Sequence, residues 1–130
     1  MPVVPRRSVL VVEDSAHLAA FLVELVAGLT GIDFPQHAAS LAGARRIFAS
    51  EAPGLVILDI GLPDGSGLDL LAEIKALEPD TVVIVLSADA TAENRAFARV
   101  AGAAAFLDKG HDLPTLARLL HRLLPPLETA

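Results

Sequence analysis

The sequence predicts a doubly wound α/β domain: a parallel five-stranded sheet with helices on both faces. Three observations predict it. Short aliphatic runs alternate five times with longer stretches of helical periodicity. The first, third and fourth runs lack the polar alternation of a half-exposed strand, as expected where helices cover both faces of a parallel sheet. Two of those runs end in carboxylates, Glu13-Asp14 and Asp59, immediately before turn-forming residues.

The elements follow in order. A first strand over Ser8–Val12 is cut by Glu13-Asp14, and Ser15 is placed to cap a helix over Ala16–Leu29 that Gly31 closes. The second strand, Asp33–His37, is weak and contains Pro35, which cannot donate to a ladder, so it belongs at an edge. Ser40 precedes a helix over Ala42–Ser50, and Pro53-Gly54 ends it. Leu55–Leu58 is the third strand and delivers Asp59 to the turn Gly61-Leu62-Pro63-Asp64-Gly65. Ser66 then caps a helix over Leu68–Leu77, closed by Pro79-Asp80. Val82–Leu86 is the fourth strand, followed by a helix over Ala92–Val100 and the stop Gly102. Ala103–Leu107 is the fifth strand, and Asp112 caps a last helix over Leu113–Leu124.

Composition narrows the function. The chain has 130 residues, 53% of them hydrophobic, enough for one domain over 1–130 with a real core and too little for two. It contains no cysteine, which excludes disulfides, thiolate metal sites and thiol nucleophiles. A net charge of -6 argues against direct nucleic-acid binding, and the pairs Arg6-Arg7 and Arg45-Arg46 read as solvated edges. The longest apolar stretch, Leu18 to Leu29, is broken by Glu24 and falls short of the roughly 20 residues that span a bilayer. No secretory signal fits the N-terminus, so a cytoplasmic protein without membrane insertion is expected. The histidines at 17, 37, 111 and 121 lack ligand spacing and read as solvated.

Right-handed crossovers and an edge-type second strand select the order 2-1-3-4-5. Glu13, Asp14 and Asp59 then meet at the topological switch point, where open α/β sheets bind ligands. Ser87 and Lys109 close neighbouring strands on the same edge. Three carboxylates ionised together repel one another unless a cation intervenes. Mg2+, a hard cation content with a few carboxylates and several waters, suits such a pocket. Together with the Lys109 ammonium it would cancel the three negative charges.

The pieces Val11-Val12-Glu13-Asp14-Ser15, Leu58-Asp59-Ile60-Gly61-Leu62-Pro63-Asp64-Gly65-Ser66-Gly67, Leu86-Ser87-Ala88 and Phe106-Leu107-Asp108-Lys109 resemble the receiver domain of two-component response regulators, over nearly the whole chain. The resemblance implies a flavodoxin-like (βα)5 fold of the stand-alone, chemotaxis-regulator kind. It implies Asp59 as phosphoacceptor, taking its phosphoryl group from a sensor histidine kinase or phosphotransfer protein. Mg2+ would be held by Glu13, Asp14, Asp59 and the main-chain carbonyl of Gly61. Ser87 would be the switch hydroxyl, Phe106 the switch aromatic and Lys109 the phosphate-binding lysine. Its output would be a downstream protein or a homodimer, met through the last two helices and the last strand. Within that face, Leu119 and Leu123 widen the apolar stripe of the last helix beyond what covering the sheet requires.

The chain departs from the family pattern in two places. Lys109 is followed by Gly110 where the family commonly has a cis-proline, and the first acid is Glu13 rather than aspartate. A haloacid-dehalogenase-type phosphatase would want a second aspartate at position 61, which is glycine, and no P-loop motif occurs. Two alternatives stay open: a receiver-like scaffold that works without phosphorylation, and the N-terminal part of a larger DNA-binding response regulator.

Overall fold

A computed structural model describes residues 2–127. Its elements run β1 (Val9–Val12), α1 (Ala16–Thr30), β2 (Gln36–Ala38), α2 (Leu41–Ser50), β3 (Leu55–Leu58), β4 (Gly61–Leu62), β5 (Gly65–Ser66), α3 (Gly67–Leu77), β6 (Val82–Ser87), α4 (Ala92–Ala101), β7 (Ala105–Asp108) and α5 (Leu113–Leu123). The main sheet is β2-β1-β3-β6-β7, parallel throughout, which is the order 2-1-3-4-5 of its strands along the chain. The fold is flavodoxin-like, as the sequence predicts.

Alternate strand residues feed two cores, because successive side chains leave a strand on opposite faces. Leu10, Val12, Val56, Leu58, Val83 and Val85 pack with residues of α2, α3 and α4. Val9, Val11, Leu55, Ile57, Ile84 and Leu86 pack with Leu22 and Val26 of α1 and with Leu116 and Leu120 of α5. The strands β1, β3 and β6 are buried along their whole length, so their continuous aliphatic runs are what two covered faces require.

Several boundaries differ from the sequence expectation. The second strand begins at Gln36, later than Asp33, because Pro35 has no N–H for the ladder; Phe34 before it is 90% exposed. The turn after Asp59 folds into a small antiparallel hairpin of β4 and β5, whose two-residue strands are too short to show a strand period in the sequence. The fifth strand runs two residues later than expected at its start and reaches Asp108.

The caps at Ser15, Ser40 and Ser66 are present: their hydroxyls accept from the amides of Leu18 (3.4 Å), Gly43 (3.0 Å) and Leu68 (3.2 Å). Asp112 stands at the N-cap of α5 without a side-chain cap bond. Arg7 is no solvated edge. It donates to the carbonyls of Thr30 and Pro125, tying the N-terminal arm to the ends of α1 and α5. Arg45 forms a two-pronged pair with Glu73, at 2.9 and 2.8 Å, between α2 and α3.

Leu119 and Leu123 are partly buried against the core that α1 shares with α5. The preceding helix α4 lies across the sheet from α5, so these leucines face away from it. The apolar residues that α4 exposes are Phe97, at 48%, and Val100, at 85%.

Candidate functional site

Strand register builds the site. Val12 pairs with Leu58, and Leu58 with Val85, so the residues one step beyond β1 and β3 emerge side by side at the carboxyl edge. Main-chain bonds fix them there: the Glu13 amide donates to Ala38 at 3.0 Å and the Asp59 amide to Val12 at 3.0 Å. Glu13, Asp14 and Asp59 each bring a carboxylate oxygen within 4.8 Å of the others. Glu13 and Asp59 are buried while Asp14 is exposed. The cleft that Asp14 and Asp59 border holds about 330 Å³ and is also lined by Gly61, Ser87, Asp89 and Lys109.

Lys109 closes the cluster. Its Nζ lies 2.7 Å from Glu13 Oε1 and 3.1 Å from Asp59 Oδ2. The Lys109 amide donates to the Ser87 carbonyl at 2.9 Å, which pins this residue to the end of β6. The buried carboxylates shape the charge states. Burial is the largest influence on Glu13 and lifts its carboxyl above the ordinary value, with the Asp59 charge adding to it; the Lys109 ammonium and the Ser15 amide oppose it. Burial alone would lower Lys109, but its hydrogen bonds and charge attraction to Glu13 and Asp59 outweigh that and hold its ammonium above the ordinary value. Both shifts are upward but favour opposite charge states: Lys109, serving two anions, is held charged, whereas burial disfavours the charged form of Glu13, which has only a share of one cation.

Glu13 Oε2 accepts from the Ser15 amide at 3.0 Å, but Oε1 is buried with no hydrogen-bond partner among the described residues. Its one close contact is the ion pair with Lys109 Nζ at 2.7 Å, and the carboxylates of Asp14 and Asp59 stand beside it. A buried carboxylate oxygen of this kind, with two more carboxylates beside it, is the donor set that a hard divalent cation takes. The residues present fit Mg2+.

Ser87 is buried at the end of β6, and its Oγ accepts from the Asp89 amide at 2.9 Å. Thr91 caps α4, accepting from Asn94 at 3.1 Å. Phe106 on β7 is partly buried, and the Arg95 guanidinium lies over its ring, 5.0 Å from the centroid. Arg95 also reaches the Phe106 carbonyl at 3.4 Å. The structure thus brings Asp14, Asp59, Gly61, Ser87 and Lys109 to one cleft, with the buried Glu13 joined to it through Lys109, and places Phe106 on the edge strand.

Other residues shape the site without an obvious sequence signal. Gly67 opens α3 directly beneath Asp59, where a Cβ would stand 2.0 Å from the Asp59 carbonyl oxygen. Asp64, at the tip of the β4–β5 hairpin, accepts from the amides of Leu41 (2.8 Å) and Ala42 (3.0 Å) and so caps α2 from outside. All four histidines are exposed, as expected, but His37 bonds through Nε2 to the Glu13 carbonyl at 2.8 Å. The peptide between Lys109 and Gly110 is trans.

The comparisons with known proteins agree. The chain matches the response regulator receiver domain over residues 9–121. It is 35% identical over 115 residues to the response regulator protein PilR of Pseudomonas aeruginosa, covering 88% of this chain and 25% of PilR. It is 38% identical over 82 residues to the transcriptional regulatory protein DpiA of Escherichia coli, covering 62% of this chain and 36% of DpiA. The chain therefore spans well under two thirds of these relatives. Among solved structures, the non-phosphorylated HemR receiver domain from Leptospira biflexa superposes with a TM-score of 0.82 at 30% identity, covering 96% of this chain and 99% of that one. No helix of the described residues is long and apolar enough to cross a membrane. By sequence, fold and the arrangement of its acidic cleft, the chain belongs to the receiver domains of two-component response regulators.

Proposed function

We propose that Asp59 accepts a phosphoryl group from a sensor histidine kinase or phosphotransfer protein. The observation that carries this reading is the Lys109 ammonium lying between Glu13 and Asp59 in a cleft of three carboxylates. Asp59 Oδ attacks phosphorus, the bond from phosphorus to the donor breaks, and its electron pair leaves with the donor. Phosphoryl transfer needs mainly positioning and charge neutralisation, and no general base takes part. Lys109 then moves its charge from the carboxylates onto a phosphoryl oxygen. Glu13, Asp14, Asp59 and the Gly61 carbonyl would hold Mg2+, which when bound neutralises charge on the transferring group.

The aspartyl phosphate carries more negative charge than the carboxylate it replaces and offers new acceptor oxygens. Ser87 turns its hydroxyl from the Asp89 amide toward the phosphoryl group, and Phe106 turns into the space this opens. The change reaches a partner protein or second copy through α4, β7 and α5, where Phe97 and Val100 are exposed. Intact mass after incubation with acetyl phosphate and Mg2+ tests the reading. One added phosphoryl group is expected for the wild type and none for Asp59→Asn or in excess EDTA; equal labelling of all three would defeat it.

A second reading is that the domain, over 1–130, serves a longer transcriptional regulator. What supports it is that PilR and DpiA carry the matching region as 25% and 36% of their length. The output would then be a neighbouring domain rather than a separate protein.

A further inference from the structure

The turn that presents Lys109 is held by side chains. Asp108 Oδ1 accepts from the Gly110 amide at 2.7 Å, and Asp112 Oδ2 accepts from the Asp108 amide at 2.9 Å. The amides of His111 (3.2 Å) and Asp112 (2.8 Å) close on the Asp108 carbonyl, while the Lys109 amide is engaged by Ser87. Both neighbours of Lys109 thus have their amides fixed by carboxylates.

Asp112 sits where a helix cap belongs, yet its carboxylate turns back to Asp108 and makes no cap bond to α5. Pro114 in the first turn of α5 has no N–H to donate to such a cap, which removes one of the two amides that would compete for the Asp112 carboxylate. Glycine at position 110 makes such a restraint necessary. It is the most freely rotating residue the chain can place beside Lys109, and the bond to Asp108 removes that freedom. A Cβ at Gly110 would meet Asp108 Oδ1 at 3.2 Å, and a proline there would delete the donor.

We propose that Asp108 and Asp112 are positioning residues for Lys109, fixing the main chain on either side so that its ammonium reaches Glu13 and Asp59. The inference rests on the phosphoacceptor reading for its catalytic consequence, but the geometry it claims is independent of phosphorylation. It predicts that proline at 110 harms this chain, although proline is common there in the family. A carboxamide oxygen can accept from the Gly110 amide in the same geometry as the carboxylate, so asparagine at 108 keeps the restraint.

The test uses the full chain with acetyl phosphate and Mg2+. Asp108→Ala and Gly110→Pro should each slow phosphorylation by about tenfold, the scale of a small misplacement of a reacting group. Asp108→Asn should restore the wild-type rate. In a Lys109→Ala background, Asp108→Ala should add no further loss, since both changes remove one function. A wild-type rate in Asp108→Ala, an additive loss in the double variant, or failure of asparagine to rescue would overturn the proposal.

A second readout needs no phosphorylation. The chain has only two lysines, Lys75 and Lys109, so 15N-lysine labelling gives two Nζ signals. Lys75, bonded to the carbonyls of Pro79 (2.6 Å) and Thr81 (2.9 Å), serves as the internal control. Asp108→Ala should speed exchange of the Lys109 Nζ protons and leave those of Lys75 unchanged. If Asp108→Ala does not fold, Asp112→Ala reads the same quantities with the Asp108–Gly110 bond intact. A Lys109 signal indifferent to both changes overturns the inference. A signal that does depend on them, in a wild-type chain that takes no phosphoryl group, supports the positioning and defeats the phosphoacceptor reading alone.

Discussion

Lys109 Nζ lies 3.1 Å from Asp59 Oδ2 and spends the same charge on a second, more deeply buried carboxylate, that of Glu13 at 2.7 Å. One cation thus answers two buried anions, with Asp14 adding a third nearby. The cluster is short of positive charge, and its stability and its reactivity both follow from that deficit.

Lys109→Ala should destabilise the metal-free protein. Breaking a fully buried pair costs about 3–5 kcal/mol because it strands a charge. Lys109 is one-fifth exposed, which reduces the expectation to roughly 1–3 kcal/mol once water screens the remainder. A reading of Lys109 as a point charge with no part in the fold predicts less than about 1 kcal/mol. Urea unfolding with and without Mg2+ decides, and the metal should return part of the loss.

Asp59→Asn should act in the opposite direction. Removing one like charge from the cluster while keeping an acceptor for the Gly61 amide, 3.3 Å away, relieves repulsion. Without metal, Tm should rise, and the Mg2+-induced increase in Tm should shrink. A fall in Tm would mean that the Lys109–Asp59 attraction outweighs the repulsion among the acids.

Gly67→Ala should lower stability by about 1–3 kcal/mol, the cost of forcing an atom into packed structure. The methyl would meet the Asp59 carbonyl, a main-chain group that cannot swing aside. Gly61→Ala is the control, since nothing lies within 4 Å of a Cβ there. Equal tolerance of the two changes in thermal unfolding would contradict the packing argument.

Asp64 should contribute to acid stability. Its bonds from the amides of Leu41 and Ala42 hold its carboxyl below the ordinary value. A depressed folded-state pKa gives stability that is complete above the unfolded value, near about 3.9, and is lost as pH falls through the folded one. Asp64→Ala should therefore be less stable than the wild type above that window and lose less stability on acidification through it. Acid titration followed by far-ultraviolet circular dichroism measures the difference.

Much of this was legible in the sequence because the signals were local. An aliphatic run cut by Glu13-Asp14, or by Asp59, marks a strand end without knowledge of its neighbours. The sheet order followed from the handedness of crossovers, and it alone brought these ends together. What stayed hidden depends on distant partners. Asp112 reads as a helix cap, but Asp108 draws its carboxylate away, and the cap of α4 is Thr91, which the strand and turn pattern does not single out. Asp64 reads as a turn residue, and its two bonds to α2 exist only because the hairpin folds over that helix. Leu119 and Leu123 read as surplus apolar surface until α1 is seen beside α5.

The most direct measurement is the site and chemical type of the modification. After incubation with acetyl phosphate and Mg2+, the protein is digested with and without hydroxylamine, which cleaves acyl phosphates and spares phosphoserine. One labelled peptide is expected, containing Asp59, whose phosphoryl group hydroxylamine removes. Label on another peptide, or a phosphoryl group that survives hydroxylamine, would contradict it.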